Sequence, residues 1–393
     1  VGLADAPRMV QRFAGELSGG QRQRVCLAVA MACQVGLMVA DEPTSALDVV
    51  TQQRVLAVLE RYPASGGRPA LLFITHDLAA AALVCQRAVT MRAGAIIADG
   101  PVPAVSDALT VRAAPAVGGE TSERRPSAPD GSFRLSGVSR VYPAPRSSGA
   151  GSSAITALAP TTLRITAGER VGIVGISGAG KTTLLRLMLA LETPSAGEIS
   201  YDGRRIRAAS ARALRWYRRR VQYVPQDPAG TLHPRMSVAR LVREPLLRLR
   251  VPGPHEGRVA DALRAVGLDA ALRHRRVHEL SGGQAQRVAL ARAIATEPDV
   301  LLADEPVSGL DRALREQIVE VLDQVCTERG MSLVVVSHDL SVVADLCERT
   351  LVMYAGDVVE DRPTADLLAL PRHHHTRELL DAIGALTGRK GAA

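Results

Sequence analysis

The sequence predicts an α/β fold, and three observations carry that prediction. The apolar run Val171 to Val174 is followed by the glycine-rich loop GISGAGKTT and then by a helical pattern, the order strand, loop, helix. Two more short apolar runs, VLLADEP at 300–306 and VVVSHDL at 334–340, end in polar residues, as strands buried within a parallel sheet do. The third observation is a repeat. LSGGQRQRV at 17–25 returns as LSGGQAQRV at 280–288, and VADEPTSALD at 39–48 returns as LADEPVSGLD at 302–311, both 263 residues on. FITHDL at 73–78 matches VVSHDL at 335–340, and MRAGAIIADGP at 91–101 matches MYAGDVVEDRP at 353–363, both 262 residues on. A duplicated domain with one residue deleted between the copies explains all four pairs.

The 393 residues suffice for two domains with cores of their own, and 47 % hydrophobic against 22 % charged residues is the balance of a globular chain. The formal charge of +8 suits contact with acidic lipid headgroups or nucleic acid and does not choose between them. Lys181 and Lys390 are the only lysines among 48 basic residues. The longest apolar run, 25–40, is shorter than the roughly 20 residues of a membrane span, and it reads as a helix followed by a buried strand. No charged-then-apolar leader opens the sequence, so nothing in it argues for secretion. The five cysteines form no CxxC and read as packing thiols of a reducing compartment.

Correspondence between the copies fades at VGLADA, residues 1–6, which matches VGLDAA at 266–271, while the second copy continues backwards for more than a hundred residues. The expectation is therefore of an N-terminally truncated first copy at 1–105 and a natural protein longer by a hundred residues or more. A linker rich in Ala, Pro, Ser and Gly occupies 106–132, a complete second copy 133–365, and an extension 366–393.

In the second copy, Gly175, Gly180, Lys181 and Thr182 form GxxxxGK[ST] between a strand and a helix, the context that a phosphate-binding loop requires. Glycines let backbone N–H groups close around phosphate oxygens, the helix N-terminus adds partial positive charge, Lys181 reaches the outer phosphates, and Thr182 offers a hydroxyl to Mg²⁺. Strand alternation separates Asp304, the expected Mg²⁺ partner, from Glu305, the candidate general base. His338 follows the third apolar strand and is expected to contact the terminal phosphate and hold water and Glu305 in line; His76 recurs in the first copy. Gln226 ends a strand-like stretch and is read as sensing Mg²⁺ or water together with an external partner. Tyr142 is a candidate for stacking on adenine, with core or turn packing as the competing reading.

The ordered set GISGAGKTT, VPQDP, LSGGQAQR, LLADEP, SGLD and VSHDL resembles the ATP-binding subunits of ABC transporters. The resemblance covers 133–365 as a whole nucleotide-binding domain and 1–105 as the rear half of another. It implies a P-loop NTPase of ABC type, a mixed sheet with a helical subdomain, hydrolysing ATP with Mg²⁺ as cofactor. In that family each ATP lies between the phosphate loop of one domain, here Gly175, Ser177, Gly178, Gly180, Lys181, Thr182 and Thr183, and the LSGGQ loop of the other. Ser18, Gly19, Gly20, Gln21 and Asp48 would thus complete the Lys181 site, and Ser281, Gly282 and Gly283 would face a phosphate loop of the first copy. Asp41, Glu42 and His76 would stand as catalytic residues without a cradle.

QDPAGTLHPRMSV at 226–238 is similar to a stretch of the dipeptide, oligopeptide and nickel importers, and PRHHHTRELL at 371–380 to their Pro-x-His-x-Tyr-Thr-x-x-Leu-Leu segment, with His375 in the tyrosine position. The resemblance implies a subunit peripheral to the cytoplasmic face of the cell membrane, driving permease subunits that work with a solute-binding protein. Domains would pair within the chain or between chains, and no nucleic acid is expected. Three adjacent histidines, 373–375, cannot easily face one metal ion. The eight arginines of 204–220 read as a solvated helix face, with anionic lipid or permease docking as the alternative. Two rival readings remain at this level: a soluble ABC ATPase acting on ribosomes or DNA, and a nonfunctional remnant.

Overall fold

A computed structural model describes residues 10, 13, 17, 19–33, 35–44, 47–61, 70–75, 77–92, 94–102, 131–143, 154–310 and 312–387. The chain divides into two compact units, Val1–Pro126 with Glu378–Ala393, and Ser127–Arg377. Apart from Gly131 and Ser132, the linker expected at 106–132 lies outside the described residues.

The first unit runs α1 (Gly19–Ala32), β1 (Leu37–Asp41), α2 (Val49–Arg61), β2 (Ala70–Ile74), α3 (Leu78–Val84), β3 (Arg87–Arg92) and β4 (Ala95–Pro101). Strands β1 and β2 pair in parallel from Leu37 opposite Ala70 to Asp41 opposite Ile74, and β3 and β4 form an antiparallel hairpin. The core is one-sided. Leu27, Met38, Val55, Leu56, Leu59, Ala80 and Val84 gather between strands and helices.

The second unit opens with β5 (Phe133–Tyr142), β6 (Ile155–Ile165), β7 (Arg170–Val174), α4 (Lys181–Met188), β8 (Ala196–Tyr201), β9 (Arg204–Ile206), α5 (Arg215–Arg220) and β10 (Val221–Val224). Three helices follow, α6 (Val238–Arg248), α7 (His255–Ala265) and α8 (Gly282–Ile294), and then β11 (Val300–Asp304), α9 (Arg312–Arg329), β12 (Ser332–Val336) and α10 (Leu340–Leu346). The unit ends with β13 (Arg349–Tyr354), β14 (Asp357–Pro363), α11 (Thr364–Ala369) and the first residues of α12 (His374–Thr387), whose part from Glu378 onward is counted with the first unit.

A six-stranded sheet has the order β10-β11-β12-β7-β13-β14, parallel except for β14. A four-stranded antiparallel sheet, β6-β5-β8-β9, lies in the same unit. This is the mixed-sheet architecture that the resemblance implies, with α6 to α8 as its helical part. Strands β11 and β12 are buried at every position, which is why VLLAD and SLVVV are continuously apolar until their ends.

The repeat persists in fine detail. Both hairpins carry a register irregularity at the same step, between Thr90 and Met91 and between Val352 and Met353. Asp77 and Asp339 cap α3 and α10, held by Gln52 and Arg315 from matching positions at 3.0 and 2.5 Å. Burial, however, differs between the copies. Val39, Leu72, Ile74, Val89 and Met91 are 45–64 % exposed, whereas Leu302, Val334, Val336, Leu351 and Met353 are at most 1 % exposed. In the second unit β7 sits between β12 and β13, and α4 with β5 and β6 covers that face; among the described residues of the first unit, β2 and β3 belong to separate sheets. The strand expected to be buried after residue 36 is therefore buried on one face only, at Met38 and Ala40.

The matched positions predict opposite costs. Leu302→Ala lowers stability by about 2–5 kcal/mol through loss of buried volume, read by urea denaturation at Trp216. Val39→Ala changes the transition seen by circular dichroism by no more than about 0.5 kcal/mol.

Candidate functional site

Strand β7 delivers the chain into the phosphate loop at Gly175, whose φ of +154° brings the backbone against Met353 O with no room for a Cβ. Gly180, at φ +100°, caps α4, and a Cβ there would sit 2.5 Å from Ala157 O. Ala179 O accepts a hydrogen bond from Gly356 N at 3.1 Å, so the loop rests on the β13–β14 turn. Lys181 is buried at the start of α4, and its ammonium donates to Gly175 O at 2.6 Å and Ile176 O at 2.9 Å. Thr182 and Thr183 follow in the first helical turn, with Ser177 and Gly178 exposed at the loop tip.

Of the two adjacent carboxylates, only Asp304 lies within the strand. Strand β11 ends at Asp304, and Glu305 turns into the left-handed region at φ +47°, as Glu42 does at +46° in the first unit. Glu305 Oε2 accepts from Gln226 Nε2 at 2.9 Å, and Oε1 lies 3.2 Å from His338 Nδ1. The three residues read as catalytic thus meet at one carboxylate. Burial pushes that carboxyl up, but the hydrogen bond and charge of His338, with Lys181 and Ser308, hold it below the usual range. Asp304 goes the other way. Burial and the neighbouring Glu305 charge raise it, against the Tyr223 hydroxyl, Lys181 and Arg186.

Tyr223 escaped the sequence reading: its hydroxyl donates to Asp304 Oδ2 at 3.3 Å, and burial followed by the Asp304 charge pushes the phenol up to about 12. The available signal was its place in VQYV, three residues before Gln226, but its partner is set by β10 lying beside β11.

In the second unit Ser281 caps α8 in a reciprocal box, accepting from Gln284 N at 3.3 Å while its own N–H donates to Gln284 Oε1 at 3.0 Å. Gly283 lies against Leu314, where a Cβ would approach to 2.6 Å. Ser281, Gly282 and Gly283 line an open cleft of about 720 Å³ with Asp269, Arg287 and Leu314. In the first unit Gly19 and Gly20 begin α1 and Gln21 follows; Ser18 and His76 lie outside the described residues. Asp48 precedes α2, and its carboxylate accepts from Thr51 N and Oγ1, both at 3.0 Å, which is a capping role.

Tyr142 is engaged on its own sheet. Its hydroxyl donates to Glu192 Oε2 at 2.6 Å, and the Arg140 guanidinium lies 4.6 Å from the ring centre. The 204–220 segment is less of a solvated face than the run of arginines suggests: Arg219 donates to Leu249 O and Arg250 O, and Arg220 bridges Asp202 and Asp299. Among the cysteines, Cys326 and Cys347 are buried but Cys26 and Cys33 are exposed, so packing does not account for all five. Among the described residues no metal-binding group of His, Cys, Asp and Glu occurs, and no helix is long and apolar enough to cross a membrane.

The family model described as ABC transporter matches residues 1–45 and 158–308. A glutathione import ATP-binding protein, GsiA of Pectobacterium atrosepticum, is 34 % identical, the match covering 98 % of this chain and 67 % of that one. A peptidoglycan transport ATP-binding protein, YejF of Agrobacterium fabrum, is 38 % identical, covering 97 % and 71 %. Among solved structures, the ATP-binding cassette MJ0796, in a dimeric post-hydrolysis state bound to ADP and Pi, superposes with a TM-score of 0.52 at 30 % identity, covering 59 % of this chain and 98 % of that one. Likeness sustained along nearly the whole chain, on a phosphate loop and a half-buried glutamate arranged as described, makes this chain a member of the ABC transporter family of ATP-hydrolysing proteins.

Proposed function

We propose that the chain is the ATP-hydrolysing subunit that powers import of peptide-type solutes, with the Lys181 loop as its nucleotide site. The observation that carries the reading is the convergence of Gln226 and His338 on the two oxygens of Glu305. Hydrolysis needs a water held in line with the γ-phosphorus and a base to take its proton. Glu305 is kept ionised by its partners, so it can accept that proton, and fixing both oxygens restricts where the water stands. The water oxygen bonds to phosphorus as the bond to the bridging oxygen of ADP breaks, releasing ADP and phosphate. Lys181, held by two loop carbonyls, exchanges them for phosphate oxygens when nucleotide binds.

The donor set fits a divalent cation. Asp304 is a buried carboxylate beside a second one, disfavoured as an anion until a positive charge adjoins it, and Thr182 and Gln226 offer neutral oxygens. When bound, Mg²⁺ would supply positive charge to the β- and γ-phosphates. Supporting import of peptide-type solutes are the roles of the relatives, glutathione import and peptidoglycan transport; nickel is a further candidate through the 226–238 resemblance. Membrane permease subunits, a solute-binding protein and a peripheral place at the cytoplasmic face belong to the same reading. The dimeric state of the MJ0796 cassette supports pairing of two such domains, with Ser18, Gly19, Gly20 and Gln21 or, between chains, Ser281, Gly282 and Gly283 facing a phosphate loop.

Glu305→Gln lowers kcat for ATP hydrolysis by about 10²- to 10⁴-fold while ATP binding persists; undiminished turnover removes Glu305 from the base role. Asp304→Asn raises Tm in the absence of divalent ions, because the fold disfavours the charge it removes, and Mg²⁺ raises the Tm of the parent chain more than that of the variant. Equal Mg²⁺ shifts in both would take Asp304 out of the cation site. Ser18→Arg abolishes ATPase activity if the pairing is within the chain, whereas activity indifferent to that change assigns pairing to two second units.

A further inference from the structure

The β13–β14 turn is the floor of the phosphate loop. Gly356 N donates to Ala179 O at 3.1 Å, and Gly356 O accepts from Ala159 N at 2.9 Å. Met353 O closes on Gly175, and Met353 Cε would lie 3.3 Å from a Cβ at Gly180. The turn itself is strained: Ala355 at φ +48° and Gly356 at +90° are both left-handed, and Ala355 has no glycine's freedom to be so. Such a conformation persists where its surroundings over-determine it.

The outer side of this turn is held by the extension. Glu360 on β14, 6 % exposed, accepts from Arg372 N at 2.9 Å and from His373 N, and Arg362 donates to Leu370 O at 2.8 Å. These bonds bring residues 370–376 onto the hairpin and place the His375 ring flat on Tyr354, with ring centres 3.3 Å apart and planes at 21°. Tyr354 opens the turn, paired with Asp357. The hairpin of the first unit has Arg92 in the place of Tyr354, so the stack belongs to the second unit alone.

We infer that His375 is a positioning residue of the nucleotide site: through Tyr354 it fixes the turn that holds Ala179, and so sets how well the phosphate loop grips ATP. The inference rests on the proposed nucleotide role of that loop. It also gives a reason for a flat ring at 375, where the similar importers have tyrosine: either side chain can lie on Tyr354. His375 is thereby given a role that needs no metal.

The test is equilibrium titration with N-methylanthraniloyl-ATP, with steady-state KM and kcat, on the full chain and on Lys181→Ala, His375→Ala, His375→Tyr and Tyr354→Leu. Lys181→Ala is expected to abolish binding. His375→Ala is expected to raise Kd and KM about three- to ten-fold, the range that one aromatic contact spans, with kcat within about two-fold, and His375→Tyr to restore both. Tyr354→Leu should match His375→Ala, and it reads the same contact should that variant fail to fold. Binding unchanged in Lys181→Ala would sink the nucleotide reading and this inference with it. Binding lost there but unchanged in His375→Ala and Tyr354→Leu, even with a lowered Tm, overturns the role of His375 alone.

Discussion

A charged carboxylate has to be held in a half-buried place beside a second one, and the second unit is organised around meeting that demand. Isolated, Glu305 would be driven toward its neutral form by burial. The groups that reverse this come from neighbouring strands. Gln226 follows β10, His338 follows β12, and Lys181 lies past β7, so the strand order β10-β11-β12-β7 brings together what is scattered over more than a hundred residues of sequence. All four strands are parallel, so their carboxyl ends lie on one side of the sheet, where ligands of such folds bind. Burying β11 and β12 on both faces keeps the ends in register, because a parallel strand of this kind has no solvent face to slip toward.

The two copies separate what local sequence controls from what packing controls. Capping aspartates, the irregular step in the hairpin and the left-handed glutamate recur at matching positions, although one copy has a covered sheet and the other an exposed face. Those features are therefore set by short-range chemistry: a carboxylate two residues after Thr75 or Ser337, and a glutamate followed by proline. Burial of Leu302 or Val334 is not short-range. It requires β7 and α4, and positions of the same character in the first copy remain in water.

That division also marks how far the sequence could be read. The α/β class, the strand ends and the phosphate loop were legible because each depends on residues within about ten of one another. Asp304 and Glu305 were legible as a pair set apart by the strand, but not the left-handed φ of Glu305 just past the end of β11. Tyr223 and Arg186 around Asp304, the Arg140–Glu192 setting of Tyr142 and the His375–Tyr354 stack were not legible, since each depends on which strand or segment lies beside which. A single sequence without an alignment carries no pairing information of that kind. The expectation of a buried strand at 37–41 failed for the same reason, an apolar run being silent about whether both of its faces will be covered.

Two of the left-handed side chains of the second unit, Glu305 and Ala355, stand where strands of the six-stranded sheet end. Both take conformations that side chains resist, Glu305 one residue past the buried strand β11 and Ala355 one residue past β13, where β13 pairs with the antiparallel β14. In both places the chain changes direction at the first residue after the strand. The sharp turn that results directs a carboxylate toward Gln226 and His338 at one strand end, and at the other presses a backbone N–H onto Ala179. Relaxing either residue would return it to an easier φ but would move the group that the turn positions. The conformations are kept because the surrounding hydrogen bonds and packing cost more to lose than the strain costs to hold.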